Sequence, residues 1–465
     1  MKTGTEPMLD RRSLLGFAAG AAMFSLVPGK AAAAKASGAK SSSRTGGIDP
    51  GDFGVRPSAT DDQSKAFGKM LKAASDANQP IVLPPGTYIV SGLILPPRVR
   101  LAGTAGATRL IHGGGGPFLS GENADHVEFS GLVFDGANQY LGESVSGLLD
   151  LRSVKTLSID NCQVNGASKN GIALQRAAGR IERCFISGAA DAGIWSVDGA
   201  GLSISGNSVI DCANGGILVH RRQTAEDGTM VTANRISRIA ARNGGTGQNG
   251  NGINVFRAGG VLVSGNVVAD CAFSAIRANS GSNVQITGNS CLRSGETALY
   301  SEFTFEGAVI ANNVVDGAAN GISIVNFNEG GRMATCSGNI VRNLSTTGPY
   351  PPEVGGFGIG IGVEADTTVS GNIVENAPLY GMQLGWGPYL RNVVATGNVI
   401  RNAGTGIAVS VVEGAGSAII ADNIIDGVTN GAIIGHRWAK PATGDLAQSG
   451  TSGYPHLVIE RNRAS

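Results

Sequence analysis

The sequence predicts an all-β chain wound as a parallel β-helix with a short N-terminal capping helix, and three observations carry that prediction. First, one phrase recurs through the second half, as SGNSVIDCANGGILV (205–219), SGNVVADCAFSAI (264–276) and TGNVIRNAGTGIAV (396–409). Its Asn returns at 207, 234, 266, 289, 313, 339, 372, 398, 423 and 462, mostly 23 to 33 residues apart, a period that signals stacked repeats. Second, apolar triplets with period-2 alternation, such as Leu202-Ser203-Ile204 and Ile217-Leu218-Val219, suit short strands and not helices. Third, 72 glycines in 465 residues argue for frequent sharp turns. Three short strands per coil, stacked at roughly 4.8 Å, give about twelve coils and a rod on the order of 55–60 Å long.

The elements follow in order. Residues 1–36 read as a targeting signal: Arg11-Arg12-Ser13-Leu14-Leu15 opens a short apolar run to Val27, followed by Ala-rich cleavage sites at 32–36. The run is too short to cross a membrane. It resembles a twin-arginine export signal, with Asp10 where that family usually has Ser or Thr. The resemblance implies the twin-arginine export machinery as a partner, a periplasmic or secreted location, and no membrane span after processing. Residues 37–47 form a flexible linker. Residues 48–110 hold the cap and first coils, in which Thr60-Asp61-Asp62 is an N-cap cluster before an apolar helical stripe of Ala66, Phe67, Met70, Leu71 and Ala74. Laid over the first coil, that helix covers its open apolar end. Residues 111–465 are the repeats.

The segment DPGDFGVRPSATDD…LPPGTY…VRLAGT (49–104) resembles the opening of the pectin-lyase-like superfamily. The resemblance implies a single-stranded right-handed parallel β-helix. It does not imply an activity, because that superfamily holds lyases, hydrolases, epimerases and adhesins.

The recurrent Asn sits at the bend between two strands, where Asn tolerates the left-handed conformation and bonds nearby backbone. Stacked side-chain amides can bond to the coils above and below. Asn161 begins this ladder, and Arg183 replaces the amide in the next coil. Six cysteines occupy strand or bend slots: Cys162 and Cys184 share one register, Cys212 and Cys271 another, and Cys336 takes a slot filled elsewhere by Ile204 or Val263. That placement favours buried thiols, and Cys162–Cys184 is the pair to test for a disulfide. No spacing resembles a metal or cofactor site.

With 36 Lys+Arg against 35 Asp+Glu, and about −2 once the signal leaves with five cations and two anions, nothing in the charge balance favours nucleic acid. Function must then lie on an outward strand face or in the inserts at 221–229, 237–251, 343–356 and 436–455, which break the period and can wall a groove. Aligning the closing strands on their inward Ile places residues at +1 and +3 outward. Successive coils offer Trp195 and Asp198; His220, Arg221 and Arg222; Asn254, Phe256 and Arg257; Arg277 and Asn279; and Tyr300 and Glu302. Asn326, Glu364, Gln383 and Trp386 follow. Outward positions elsewhere are mostly small, so this stripe is informative, although it also reads as a ladder of solvated charges.

Arginines pair bidentately with carboxylates, which points to an acidic polysaccharide. His220, Arg257, Arg277, Tyr300 and Glu302 are the candidate acid–base residues. Trp195, Arg221, Arg222, Asn254, Asn326, Glu364 and Trp386 are the candidate substrate contacts. The motifs of polygalacturonases, alginate epimerases and calcium-dependent pectate lyases are missing, so no known active site transfers. What remains resembles the twin-arginine-exported β-helix repeat proteins of Gram-negative bacteria. Three readings stand: lyase or epimerase chemistry, a binding or cell-envelope solenoid without catalysis, and inverting hydrolysis with Glu302 and Glu364 about 9–10 Å apart.

Overall fold

The computed structural model describes residues 47–351 and 355–465. The expected export signal and nearly all of the linker lie outside the described residues. What is described is a parallel β-solenoid of about 14 coils, against the twelve expected. Each regular coil contributes three strands, as in Ser203–Ser205, Ser208–Ile210 and Gly215–Glu226. The first strands of successive coils form a 15-stranded sheet, and the second and third form the other two faces. Pairing is parallel and in register, with Ile204 opposite Val231 and Ile217 opposite Ile253. Stacked Ile, Val and Leu fill one continuous core from Val55 to Leu457.

The cap forms as expected. Helix Ser64–Ala77 buries Phe67, Met70, Leu71, Ala74 and Ser75, and Phe67 meets Tyr88 edge-on at 5.6 Å. Asp62 accepts the Ser64 N–H at 2.8 Å, which satisfies one orphan donor of the first turn.

The Asn column is continuous from Asn207 to Asn462. From Asn234 on, each Oδ1 accepts both the backbone N–H and the Nδ2–H of the Asn one coil before, and each Nδ2 in the column also donates to a strand carbonyl. For Asn266 the three bonds reach Asn289 Oδ1 at 3.0 and 2.9 Å and the Val231 carbonyl at 2.9 Å.

Two details correct the sequence reading. The left-handed residue is the one before the Asn, as at Gly206 (φ 66°) and Gly265 (φ 65°). Asn161 (φ 50°) and Arg183 (φ 53°) occupy that left-handed position, so neither belongs to the ladder. The ladder slots of those coils hold Cys162 and Cys184, and the Cys184 N–H donates to Asn207 Oδ1 at 2.9 Å.

All six thiols are free and buried. Burial pushes Cys212, Cys291 and Cys336 up to about 12. A second, outer column of charges was not foreseen: Arg238 grips Asp211, and Arg293 grips Asp270, each through two bonds of 2.6 and 2.8 Å. These arginines neutralise the neighbouring coil and leave little free charge for a partner.

Candidate functional site

Parallel register brings the expected stripe together on the third face. Asn254, Arg277 and Tyr300 stand one above another, and Phe256, Asn279 and Glu302 form the adjacent column. Trp195 and His220 precede them in the same two columns. Extending the strand Ile359–Val363 by one residue puts Glu364 two rungs from Glu302 in the second column. Inserts 237–251, 343–356 and 436–455 touch this face through Gly247, Tyr350 and Trp438, so residues that interrupt the repeat wall the site.

The central element is a closed ion cluster. Arg277 holds Glu302 through Nε–Oε1 at 2.6 Å and Nη2–Oε2 at 3.0 Å, and its Nη1 reaches Glu296 Oε2 at 3.2 Å. Arg277 is 9% exposed, and Glu302 and Glu296 are each 2% exposed. The guanidinium also lies 4.9 Å from the Tyr300 ring centroid. Insert 237–251 covers the cluster so closely that a Cβ at Gly247 (φ 135°) would fall 1.7 Å from Arg277 Nη1. Insert 343–356 pins it from the other side, where the Tyr350 hydroxyl donates to Glu296 Oε1 at 2.6 Å. Burial pushes Glu296 upward against the pull of Arg277 and Tyr350. Burial likewise raises Tyr300, so it keeps its proton and is a weaker acid than a free tyrosine.

Upstream, His220 is half-buried beside Phe256, their rings 5.7 Å apart at 69°. The Trp195 indole N–H donates to His220 Nδ1 at 3.4 Å, so the proton sits on Nε2, which has no partner among the described residues. Burial lowers this imidazole to about 4, and it stays neutral at physiological pH. Asn254 Oδ1 is also buried without a partner among the described residues. Arg221 is taken by the Gly199 carbonyl and Asp227, and Arg222 by Asp198. Arg257 is exposed, lies over Phe256 at 4.7 Å and donates to the Arg222 carbonyl at 3.0 Å. Among the described residues no carboxylate pairs with it.

Downstream the face opens into a pocket of about 610 Å³ that brings together Asn326, Glu364, Gln383 and Trp386. Asn326 turns the chain in the left-handed region (φ 71°), and the following Phe327 N–H donates to Glu364 Oε2 at 2.6 Å. Glu364 is 7% exposed, and burial pushes its carboxyl up to about 7 despite that bond. It is therefore an acid that holds its proton near neutrality.

The sequence reading missed Glu296, Tyr350 and Trp438. Trp438, from insert 436–455, meets Trp386 at 5.6 Å and 78°. Among the described residues no group of three or more His, Cys, Asp or Glu could hold a metal ion, and no helix is long and apolar enough to cross a membrane.

No curated protein matches the sequence. Among solved structures, the pre-mature gene product 12 of bacteriophage phi29 is 16% identical with a TM-score of 0.52. That match covers 83% of this chain, which spans about half, 55%, of the phage protein. The mannuronan C-5 epimerase A-module of Azotobacter vinelandii is 14% identical over 90% of this chain and 98% of its own, at a TM-score of 0.45. The exopolygalacturonase of Thermotoga maritima is 10% identical over 90% and 91%, at 0.36. At such identities the likeness is one of fold. The family described as the right handed beta helix region matches residues 119–247 and 223–390, more than half of the chain, and the chain belongs to that family.

Proposed function

We propose that this chain is a carbohydrate-active β-helix whose third face receives a polysaccharide, and that Glu364 protonates the leaving oxygen of a glycosidic bond. One observation carries the reading: a buried carboxyl, raised to about 7, in a walled pocket beside Trp386. In the step, the Glu364 proton passes to the glycosidic oxygen as the bond from C1 breaks. Water attacks C1 from the opposite side and gives up its own proton to bulk water. Glu302, the base expected from the sequence, is 2% exposed and has both carboxylate oxygens held by Arg277, so it stays in the closed cluster and does not take that proton. Glu364→Gln should remove release of new reducing ends while leaving the fold intact. Undiminished release would sink the assignment.

A second reading, proton removal from C5 of a uronate by lyase or epimerase chemistry, draws on Arg277 stacked against Tyr300. It requires substrate to displace Glu302 from Arg277, and a rise in absorbance at about 235 nm on acidic polysaccharides would support it. Binding without product on any glycan would instead leave a polysaccharide-binding or envelope solenoid. We also propose export to the periplasm or medium through the twin-arginine route. Loss of export of a reporter fused to residues 1–47 on Arg11→Lys with Arg12→Lys would be the supporting result.

A further inference from the structure

We infer that the sugar in the Glu364 pocket is a neutral pyranose, and that Trp438 and Trp386 form the corner on which it stacks. This rests on the reading above and names its substrate class, against the acidic chain expected from the sequence.

The charge of the site is the first argument. Among the described residues lining the pocket there is no Lys or Arg; its polar groups are the amides of Asn320, Asn326 and Gln383, the Tyr350 hydroxyl and Glu364. Arg277, the nearest expected uronate partner, is consumed by Glu302 and Glu296. Among the residues lining the pocket a uronate would meet a carboxyl and no cation, whereas amides serve hydroxyl groups as both donors and acceptors.

The second argument is the aromatic corner. Trp438 sits at the tip of a hairpin formed by Gly431–Arg437 and Lys440–Asp445. It is left-handed (φ 56°), a conformation costly for so bulky a residue, and 46% exposed. Burial therefore does not account for holding it there. Its ring reaches Gly387 (φ 60°), where a Cβ would lie 2.4 Å from the indole, so glycine is required for the approach. Trp386 and Tyr389 meet it edge-on, at 78° and 80°. Two indoles at right angles give one ring to lie against a pyranose face and another to bound its edge.

The test uses the full chain carrying Glu364→Gln, so that binding is read without turnover. Tryptophan fluorescence is titrated with neutral gluco-, manno- and xylo-oligosaccharides, and with galacturonate and mannuronate oligosaccharides. At least one neutral series should bind more tightly than both uronates, and adding Trp438→Ala should weaken it about tenfold or more. Trp438→Phe, which keeps a flat ring, should recover most of that loss. Tighter binding of a uronate, equal binding with Trp438→Ala, or no binding by any neutral series would each overturn the inference. Failure of the catalytic reading shows separately, as cleavage that survives Glu364→Gln.

Discussion

The bend that carries the Asn column and the face that carries Glu364 are built from the same coils, yet they treat polar groups in opposite ways. Along the bend, each amide from Asn234 to Asn423 donates twice and accepts twice inside an apolar shell. On the third face the cluster around Arg277 is equally closed. Either side of it, His220 Nε2 and Asn254 Oδ1 are buried without partners among the described residues, and Glu364 holds a proton that a solvated carboxyl would lose. Closed networks fix the coil geometry; groups left short of partners mark where a ligand would complete them.

The sharpest way to break this contrast is to open the closed cluster. Arg277→Gln strands Glu302 and Glu296, both nearly inaccessible, and should cost about 3–5 kcal/mol in denaturant unfolding. Arg277→Gln with Glu302→Gln and Glu296→Gln should recover much of it. Arg257→Gln, at an exposed and unpaired cation, should change stability by less than about 0.5 kcal/mol. If Arg277→Gln were as mild, the cluster would not be a structural closure, and Arg277 would return as a substrate ligand. Next in size is the ladder. Asn313→Leu removes the acceptor of the Asn289 N–H and Nδ2–H and the donor to the Ile286 carbonyl. Leaving such groups buried and unpaired costs on the order of 3 kcal/mol, to be read from the unfolding midpoint.

Much of this contrast was legible in the sequence because a ladder demands the same residue in every coil. The repeat follows from counting along that Asn, and the face and its two outward columns from aligning the closing strands on their inward Ile. The left-handed position was misplaced by one residue because Gly-Asn doublets do not reveal which partner turns the chain; the structure at Asn161-Cys162 and Arg183-Cys184 does. The closure of Arg277 was not legible, since Glu296 and Tyr350 lie outside the columns and in an insert. Trp438 was missed for the same reason: inserts carry no period, and what they touch is decided only by folding.

The Glu364 pocket supplies a smaller, pH-resolved test. Its carboxyl rises from an ordinary 4.5 to about 7, so between those values the folded state binds more protons than the unfolded one. Stability must then fall as pH rises through that window, by at most about 3 kcal/mol, and level off above it. Glu364→Gln should remove that contribution, and its cleavage rate should drop by about 10²–10⁴. Wild-type activity should decline as pH passes about 7, where the acid loses its proton. A wild type and variant with the same pH dependence of unfolding would show that this carboxyl is not held protonated.

The smallest effect sits where the column changes chemistry. The Cys184 thiol donates to the Ile159 carbonyl at 3.6 Å, and Asn207 Nδ2, one coil on, donates to the equivalent Ile181 carbonyl at 2.9 Å. The thiol is therefore a weak substitute in an amide's place. Cys184→Asn should lengthen the ladder by one coil, donating to both Ile159 and Asn207 Oδ1, and stability should stay within about 1 kcal/mol of wild type. Asn313→Cys makes the reverse exchange inside the column, where amides flank it on both sides, and should cost clearly more. Comparing the two unfolding midpoints isolates what the ladder needs. If Cys184→Asn destabilised as much as Asn313→Cys, the early coils would have a bend that only a compact side chain fits, and the two ends of the column would not be interchangeable.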